Sequence, residues 1–295
     1  IALKLGLGSF GIVLVHLVLT VVNKVFIILY VLFKIKLLPI LKGVNFAFIK
    51  EIIGYSTFIL LQMIATQINT GIGHIMLGAL VSSSAAIIGI YSIGTQVVQY
   101  YQSIGTSVTG ILMPGVVKLV ESQSSPKRMC DEMVRIGRLI LMVLILIWTG
   151  FILCGKQFIV LWAGAENIKA YGVALILMTA YMFTLTEAIG SQILWAMNEH
   201  KEQSVIKLLI VIINIMVTWS LLKLDAVYSV ALGTFVSLLL GDIVLTNIIF
   251  KKKIKISLIQ YYKGLFKGIL PCVLITLAVG LLFNVLQLKG WLGLG

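Results

Sequence analysis

Charge is scarce in this chain. Asp, Glu, Lys and Arg make up only 11% of its 295 residues, whereas soluble domains carry about a quarter. Acidic residues are the rarer sign, 10 against 23 basic ones, which leaves a formal net charge of +13. No polar stretch is long enough to fold as a soluble domain. That excludes nucleotide-driven pumps, glycosyltransferases with globular heads and receptors with large ectodomains. Cysteine is also rare: Cys130, Cys154 and Cys272 are too dispersed for a CxxC motif, so no metal, cofactor or redox role is expected of them. Polar and apolar residues do not alternate, which excludes a transmembrane β-barrel.

What the chain has is apolar length. Hydrophobic residues make up 60% of it and the mean hydropathy is +1.11. About 20 apolar residues in a helix cross about 30 Å of hydrocarbon, and a helix satisfies its own backbone there. Eight spans are expected: Gly11 to Phe33, Ile52 to Leu77, Ala85 to Val117, Leu139 to Leu161, Tyr171 to Met197, Val205 to Leu222, Tyr228 to Phe250 and Phe266 to Leu286. The fold class is therefore an all-α, polytopic transmembrane helix bundle of about eight spans. The longest polar connection, Lys118 to Arg138, fits an interfacial loop or an amphipathic helix.

The basic residues report orientation. Residues 34–50, 118–138, 198–207 and 251–267 hold 17 of the 23 Lys and Arg, and these segments fall on one side of the membrane. The other side holds Lys4, Lys156, Lys169, Lys223 and Lys289, and Lys24 lies inside the first span. The positive-inside rule makes the richer side cytoplasmic. Topology thus accounts for the net charge, and a nucleic-acid partner is not expected. The chain begins at Ile1 on the outer side and stops there after Lys289, the expectation for a fragment of a longer protein. No cleavable signal is apparent.

Two motifs have bland explanations. Gly150 to Lys156 reads G-x-x-x-x-G-K, but Gln157 replaces the Ser or Thr of a phosphate loop and no strand precedes it. Gly264 with Gly268, and Gly233 with Ser237 and Gly241, have the spacing that lets helices pack closely.

Polarity inside the spans carries more information. In the third span Ser92, Gln96, Gln99, Ser103, Thr106 and Gly110 recur every three or four residues, which keeps them on one face. Gln62, Thr66, Asn69 and Gly73 repeat this in the second span, with His74 at the stripe's edge, and His16, Thr20 and Asn23 do so in the first. Such residues serve either as interhelical hydrogen-bond contacts or as the wall of a hydrated cavity. Three adjacent stripes favour the cavity. Lys24 lies ten residues before Lys34, about 15 Å along a helix, near the midplane. Glu187 and Asp242 are expected at similar depth, where a charge costs about 2.5 to 3.5 kcal/mol. Each is a buried partner in a hydrogen bond or ion pair, or a group with work to do. A buried Lys attracts a phosphate, and a buried carboxylate binds and releases H⁺ or Na⁺.

Two segments carry a family resemblance. Ala85-Ala86-Ile87-Ile88-Gly89-Ile90-Tyr91-Ser92, running on to Met113-Pro114, resembles a (V/I)GIYS helix opening. Gly155-Lys156-Gln157-Phe158-Ile159-Val160-Leu161-Trp162-Ala163-Gly164 resembles a G-x-x-F-I-x-L-W-x-G outer loop. Both are similar to segments of the Wzx-like polysaccharide flippases, within the superfamily that also holds the MATE-type exporters. The resemblance implies a MATE-like C-terminal lobe. Residues 1–33 would be the last span of an N-terminal lobe whose five earlier spans are absent, 34–47 a cytoplasmic linker, 48–250 a six-span C-terminal lobe, and 251–295 a basic cytoplasmic loop plus one additional span.

The resemblance also implies a function, the flipping of an undecaprenyl-pyrophosphate-linked oligosaccharide across the bacterial inner membrane by alternating access. The protein would be a transporter and not an enzyme. Its partners would be the lipid-linked oligosaccharide, membrane lipid, H⁺ or Na⁺, a polysaccharide polymerase and glycosyltransferases. Lys24 is the candidate for the pyrophosphate. His16, Asn23, Gln62, Thr66, Asn69, His74, Gln96, Gln99 and Ser103 are candidates for the cavity, and Glu187 and Asp242 for ion coupling. A cation-coupled MATE-type exporter is the alternative within transport. A membrane-embedded polymerase or acyltransferase is the alternative outside it, and would place His, Arg or Asp clusters in long outer loops. The outer loops here are short.

Overall fold

A computed structural model describes residues 8–35, 46–81, 84–122, 125–199, 201–223, 225–269, 271, 273–276 and 278. The described residues are helical, without strands, as expected of a chain whose backbone must close its hydrogen bonds in lipid. Six helices are long and apolar enough to cross a membrane, and a seventh if the bent third helix counts as one span. Lys4, Cys272, Lys289, most of the 34–47 linker and most of the eighth expected span lie outside the described residues.

The chain divides into two compact units, residues 1–54 and 55–295. In the first, α1 (Gly8–Tyr30) continues into a wider π-helical turn, Val31–Ile35. Its side chains from Leu14 to Tyr30 are exposed, the surface of a helix whose apolar sides are solvated by lipid or by other protein. Helix α2 (Phe46–Leu80) runs from this unit into the second.

The second unit continues with α3 (Ser84–Glu121) and α4 (Pro126–Ala163). The expected fifth span is split into α5 (Lys169–Thr186) and α6 (Ala188–Ala196) by a break at Glu187. Helix α7 (Lys201–Leu221) follows. The next span begins as α8 (Ala226–Leu238), widens to π geometry over Leu239–Leu245, returns as α9 (Thr246–Ile249) and widens again over Phe250–Ile254. A short amphipathic helix, α10 (Leu258–Phe266), lies beyond it.

Helix α5 is central and packs on α3, α4 and α8, while α7 packs on α8. The core draws Ile140, Leu141 and Leu144 from α4, Val173, Ala174 and Leu177 from α5, and Val230 and Ala231 from α8. Lipid supplies no hydrophobic drive between helices, so close approach of small residues matters. A Cβ at Gly233 would strike Thr218, and one at Gly241 would strike Ile210. The small-residue ridge of α8 is thus the seat of α7. Of Gly264 on α10 and Gly268 beyond its end, only Gly264 is so used, since a Cβ there would meet Val134 at 2.7 Å while one at Gly268 has open space.

The 118–138 segment is largely helix. Ser125 caps α4 by accepting from the Arg128 amide, and Pro126 stands at the first helical position, where its missing N–H costs nothing. Helix α4 therefore extends well beyond the hydrocarbon on the basic side. Met133, Ile189, Phe250, Tyr261 and Leu265 are buried and belong to the same core.

Candidate functional site

The polar stripes of α2 and α3 divide into an inner and an outer set. The inner set reaches other helices. Asn69 is buried and its Oδ1 accepts from Asn214 Nδ2 at 2.7 Å. The same amide lies 3.2 Å from Thr234 Oγ1, and Thr218 donates to Asn214 Oδ1 at 3.1 Å. His74 Nε2 lies 3.2 Å from Ser92 Oγ, and its ring meets Tyr91 edge to face at 5.0 Å. Asn69, His74, Tyr91, Thr95 and Gln99 contribute to the lining of a cavity of about 60 Å³. That space suits a few waters and is far below the size of an organic ligand site.

The outer set is open. Thr66 on α2 and Gln96, Gln99, Ser103 and Thr106 on α3 are exposed, and Gln62 is half-buried. Their hydroxyls turn back on their own helix: Thr66 donates to Gln62 O at 2.8 Å, Ser103 to Gln99 O at 2.8 Å and Thr106 to Gln102 O at 3.0 Å. These bonds satisfy each donor and leave the oxygen lone pairs outward. A membrane helix cannot turn a row of Gln, Ser and Thr to lipid without cost, so this face meets water or other protein.

In the first unit His16, Thr20, Asn23 and Lys24 are all exposed on α1. Thr20 donates to His16 O at 2.8 Å. These residues belong to the 1–54 unit and the stripes of α2 and α3 to the 55–295 unit.

Both transmembrane carboxylates are buried, each 5% exposed, and both occupy irregular backbone. Glu187 is the break between α5 and α6. Its Oε1 accepts from Asn247 Nδ2 at 2.7 Å and from the Tyr262 hydroxyl at 2.5 Å, while Oε2 has no partner among the described residues. A Cβ on Gly137 would lie 3.0 Å from the carbonyl of Thr186, and Tyr261 donates to the same carbonyl at 3.4 Å. Glu187 is thus level with the residue before Arg138, enclosed by α4 and α10.

Asp242 lies in the π-helical stretch after α8. Its Oδ1 accepts from Lys207 Nζ at 2.6 Å, and Oδ2 has no partner among the described residues. Lys207 belongs to the basic loops by sequence, yet it stands on the second turn of α7 and turns toward the acid. π geometry inside an α-helix is rare and frequent at functional sites.

Three residues of this region escaped the sequence reading: Lys207, Asn247 and Tyr262. Asn247 had a usable signal, a polar side chain five residues after Asp242 in an apolar span. Tyr262 had none, since its contact with Glu187 joins positions 75 apart.

The remaining sequence features are structural. Gly150 to Lys156 is interior to α4, so its amides are spent on the helix and form no phosphate cradle. Lys156 lies 5.6 Å from the centre of the Tyr171 ring. Cys130 and Cys154 are unpaired thiols. Asp225 caps α8 by accepting from the Val227 and Tyr228 amides, and Lys169 donates to its second oxygen at 2.9 Å. Burial pushes the Asp225 carboxyl up, but the bond from Lys169 and the cap amides outweigh it and hold the group below its ordinary value.

The fold and the polar face together define a multi-pass helical membrane protein with an open polar face on two of its long helices. The chain belongs to the polysaccharide biosynthesis protein family, a Wzx-like flippase family, whose model matches residues 2–171. The match takes in α1 to α4, both stripes of the α2–α3 pair and both segments on which the resemblance was noted. No curated protein and no solved structure matches the chain.

Proposed function

We propose that this protein flips an undecaprenyl-pyrophosphate-linked oligosaccharide across the bacterial inner membrane for surface polysaccharide synthesis, by alternating access and without covalent chemistry. The observation that carries the reading is the open face of Thr66, Gln96, Gln99, Ser103 and Thr106 on helices of membrane-spanning length. A sugar chain crossing a membrane needs hydrogen-bonding surface of this neutral kind, which exchanges for water at little cost. Membership of the polysaccharide biosynthesis family supports the substrate class.

In this reading residues 1–33 close one lobe and residues 48–250 form the six-span second lobe. In the first unit Lys24 is the candidate contact for the substrate's pyrophosphate, with His16 and Asn23 on the same helix; in the second the sugars meet Gln62, Thr66, Gln96, Gln99 and Ser103. Asn69 and His74 set the stripe's inner edge. The basic loops face the cytoplasm, where glycosyltransferases deliver the substrate, and a polymerase takes it on the other side.

Of the two carboxylates, Glu187 is the better coupling group. Its partners are neutral, so it can take up and release H⁺ or Na⁺ without stranding a buried cation. Asp242 already neutralises Lys207. The test of the substrate contact is Lys24→Ala in cells that depend on this gene for their surface polymer. Polymer output should fall by about tenfold or more, the worth of one charge-assisted contact to phosphate, with protein level in the membrane unchanged. Normal output would remove Lys24 from the site.

A further inference from the structure

The α3–α4 hairpin ends on the basic side of the membrane in a pocket that the reading above does not use. Helix α3 bends by 45° between Ala85–Ile111 and Pro114–Glu121, where Pro114 has no amide hydrogen to give the turn before it. The bend opens an angle against the start of α4, and the two helix ends enclose about 600 Å³, a volume in the range of organic ligand sites.

The pocket has two unlike parts. Its wall is apolar, with Val116, Leu119 and Ile136 buried beneath it and Leu139 half exposed at 50%. Its rim is cationic, with Lys118, Arg128 and Arg135 all exposed. A single carboxylate, Glu132, lines it, 3.6 Å from Arg135. Among the described residues Lys118 and Arg128 are in no ion pair. Free phosphate would leave the wall unused, and a neutral lipid would leave the cations unused. A phosphate joined to acyl chains uses both, at the level where α4 passes from hydrocarbon to water.

We infer that this pocket binds an anionic glycerophospholipid of the cytoplasmic leaflet. Lys118, Arg128 and Arg135 hold its phosphodiester, and Leu119, Ile136 and Leu139 line the start of an acyl chain. The volume holds a phosphodiester and the first part of its chains, and none of the lining residues belongs to the open face assigned to the sugars, which sets the site apart from the transport path. The lipid would tie the hairpin to the membrane surface at the Pro114 bend.

The test uses the whole chain purified from nanodiscs of equimolar phosphatidylglycerol and phosphatidylcholine, with retained lipid counted by native mass spectrometry. The wild type should retain phosphatidylglycerol in preference, and Arg128→Ala with Arg135→Ala should weaken retention by about tenfold. Gly115→Leu is an independent probe, because a Cβ there meets nothing within 4 Å and the new side chain fills the pocket without altering charge. It should reduce retention while the melting temperature holds. Removing equal charge from another basic segment, Lys263→Ala with Lys267→Ala, should leave retention as it was. The inference is overturned by equal retention in the Arg128/Arg135 variant and in Gly115→Leu, or by an equal loss in the Lys263/Lys267 variant. Displacement of phosphatidylglycerol by polyprenyl pyrophosphate at lower concentration would also overturn it, by making the site one for the transported lipid.

Discussion

Asp242 is buried against a cation and Glu187 against neutral groups, although both stand where a transmembrane helix loses its regular geometry. The Asp242 region joins the π-helical stretch to α7 through Lys207, so each charge is the reason the other can remain in a low-dielectric interior. The Glu187 region joins α5, α9 and α10 through an amide and a phenol. Neither of those partners needs the carboxylate to be charged. Equal burial therefore leads to different duties. Asp242 closes an interhelical contact with a charge, while Glu187 closes one through neutral donors and is held by α10, a helix that itself lies outside the spans.

Breaking one half of the Lys207 pair should have the largest effect. Lys207→Met leaves Asp242 buried without its cation and should cost about 3 kcal/mol or more, and adding Asp242→Leu should recover most of that. Thermal unfolding of the detergent-solubilised protein reads both. A double variant no more stable than the single one would mean that the pair does not hold α7 to the π-helical stretch.

Glu187→Gln should change stability by less than about 1 kcal/mol, because an amide oxygen still accepts from Asn247 and Tyr262. Its effect should appear in vesicles, as a weaker dependence of flipping on the proton or sodium gradient. Undiminished dependence, with stability intact, would erase the contrast between the two acids.

The smallest effect is expected at the solvated pair, Lys169 with Asp225. The folded carboxyl lies below its ordinary value, so the stability it adds is present above the unfolded value of about 3.9 and is lost as pH falls through the folded one. Wild-type melting should therefore fall more steeply below about pH 4 than that of Asp225→Asn. Parallel profiles would show that the cap and its lysine act without the charge.

The spans themselves were legible because apolar length is a local property. Seven of the eight expected spans coincide with described helices, since a run such as Leu139 to Leu161 has no other way to satisfy its backbone in lipid. The bends were not legible. Nothing in the residues around Glu187 or Asp242 announces a break, because each break is set by partners 60 and 35 positions away. The stripes were half legible. A period of three to four places Asn69 and Gln99 on one face each, but only packing separates Asn69, bonded to Asn214, from Gln96 and Ser103, which face outward.

By itself the sequence determined the environment, the helical class and the family, because hydropathy and motif are read residue by residue. Tertiary structure alone decided which polar groups are spent on other helices and which stay open. It also placed Glu187 beside Gly137 under α10, and matched Asp242 with a lysine from the next helix. Those outcomes depend on which distant side chain arrives at each buried atom, and an unpaired charge in the interior costs too much to be left to local preference.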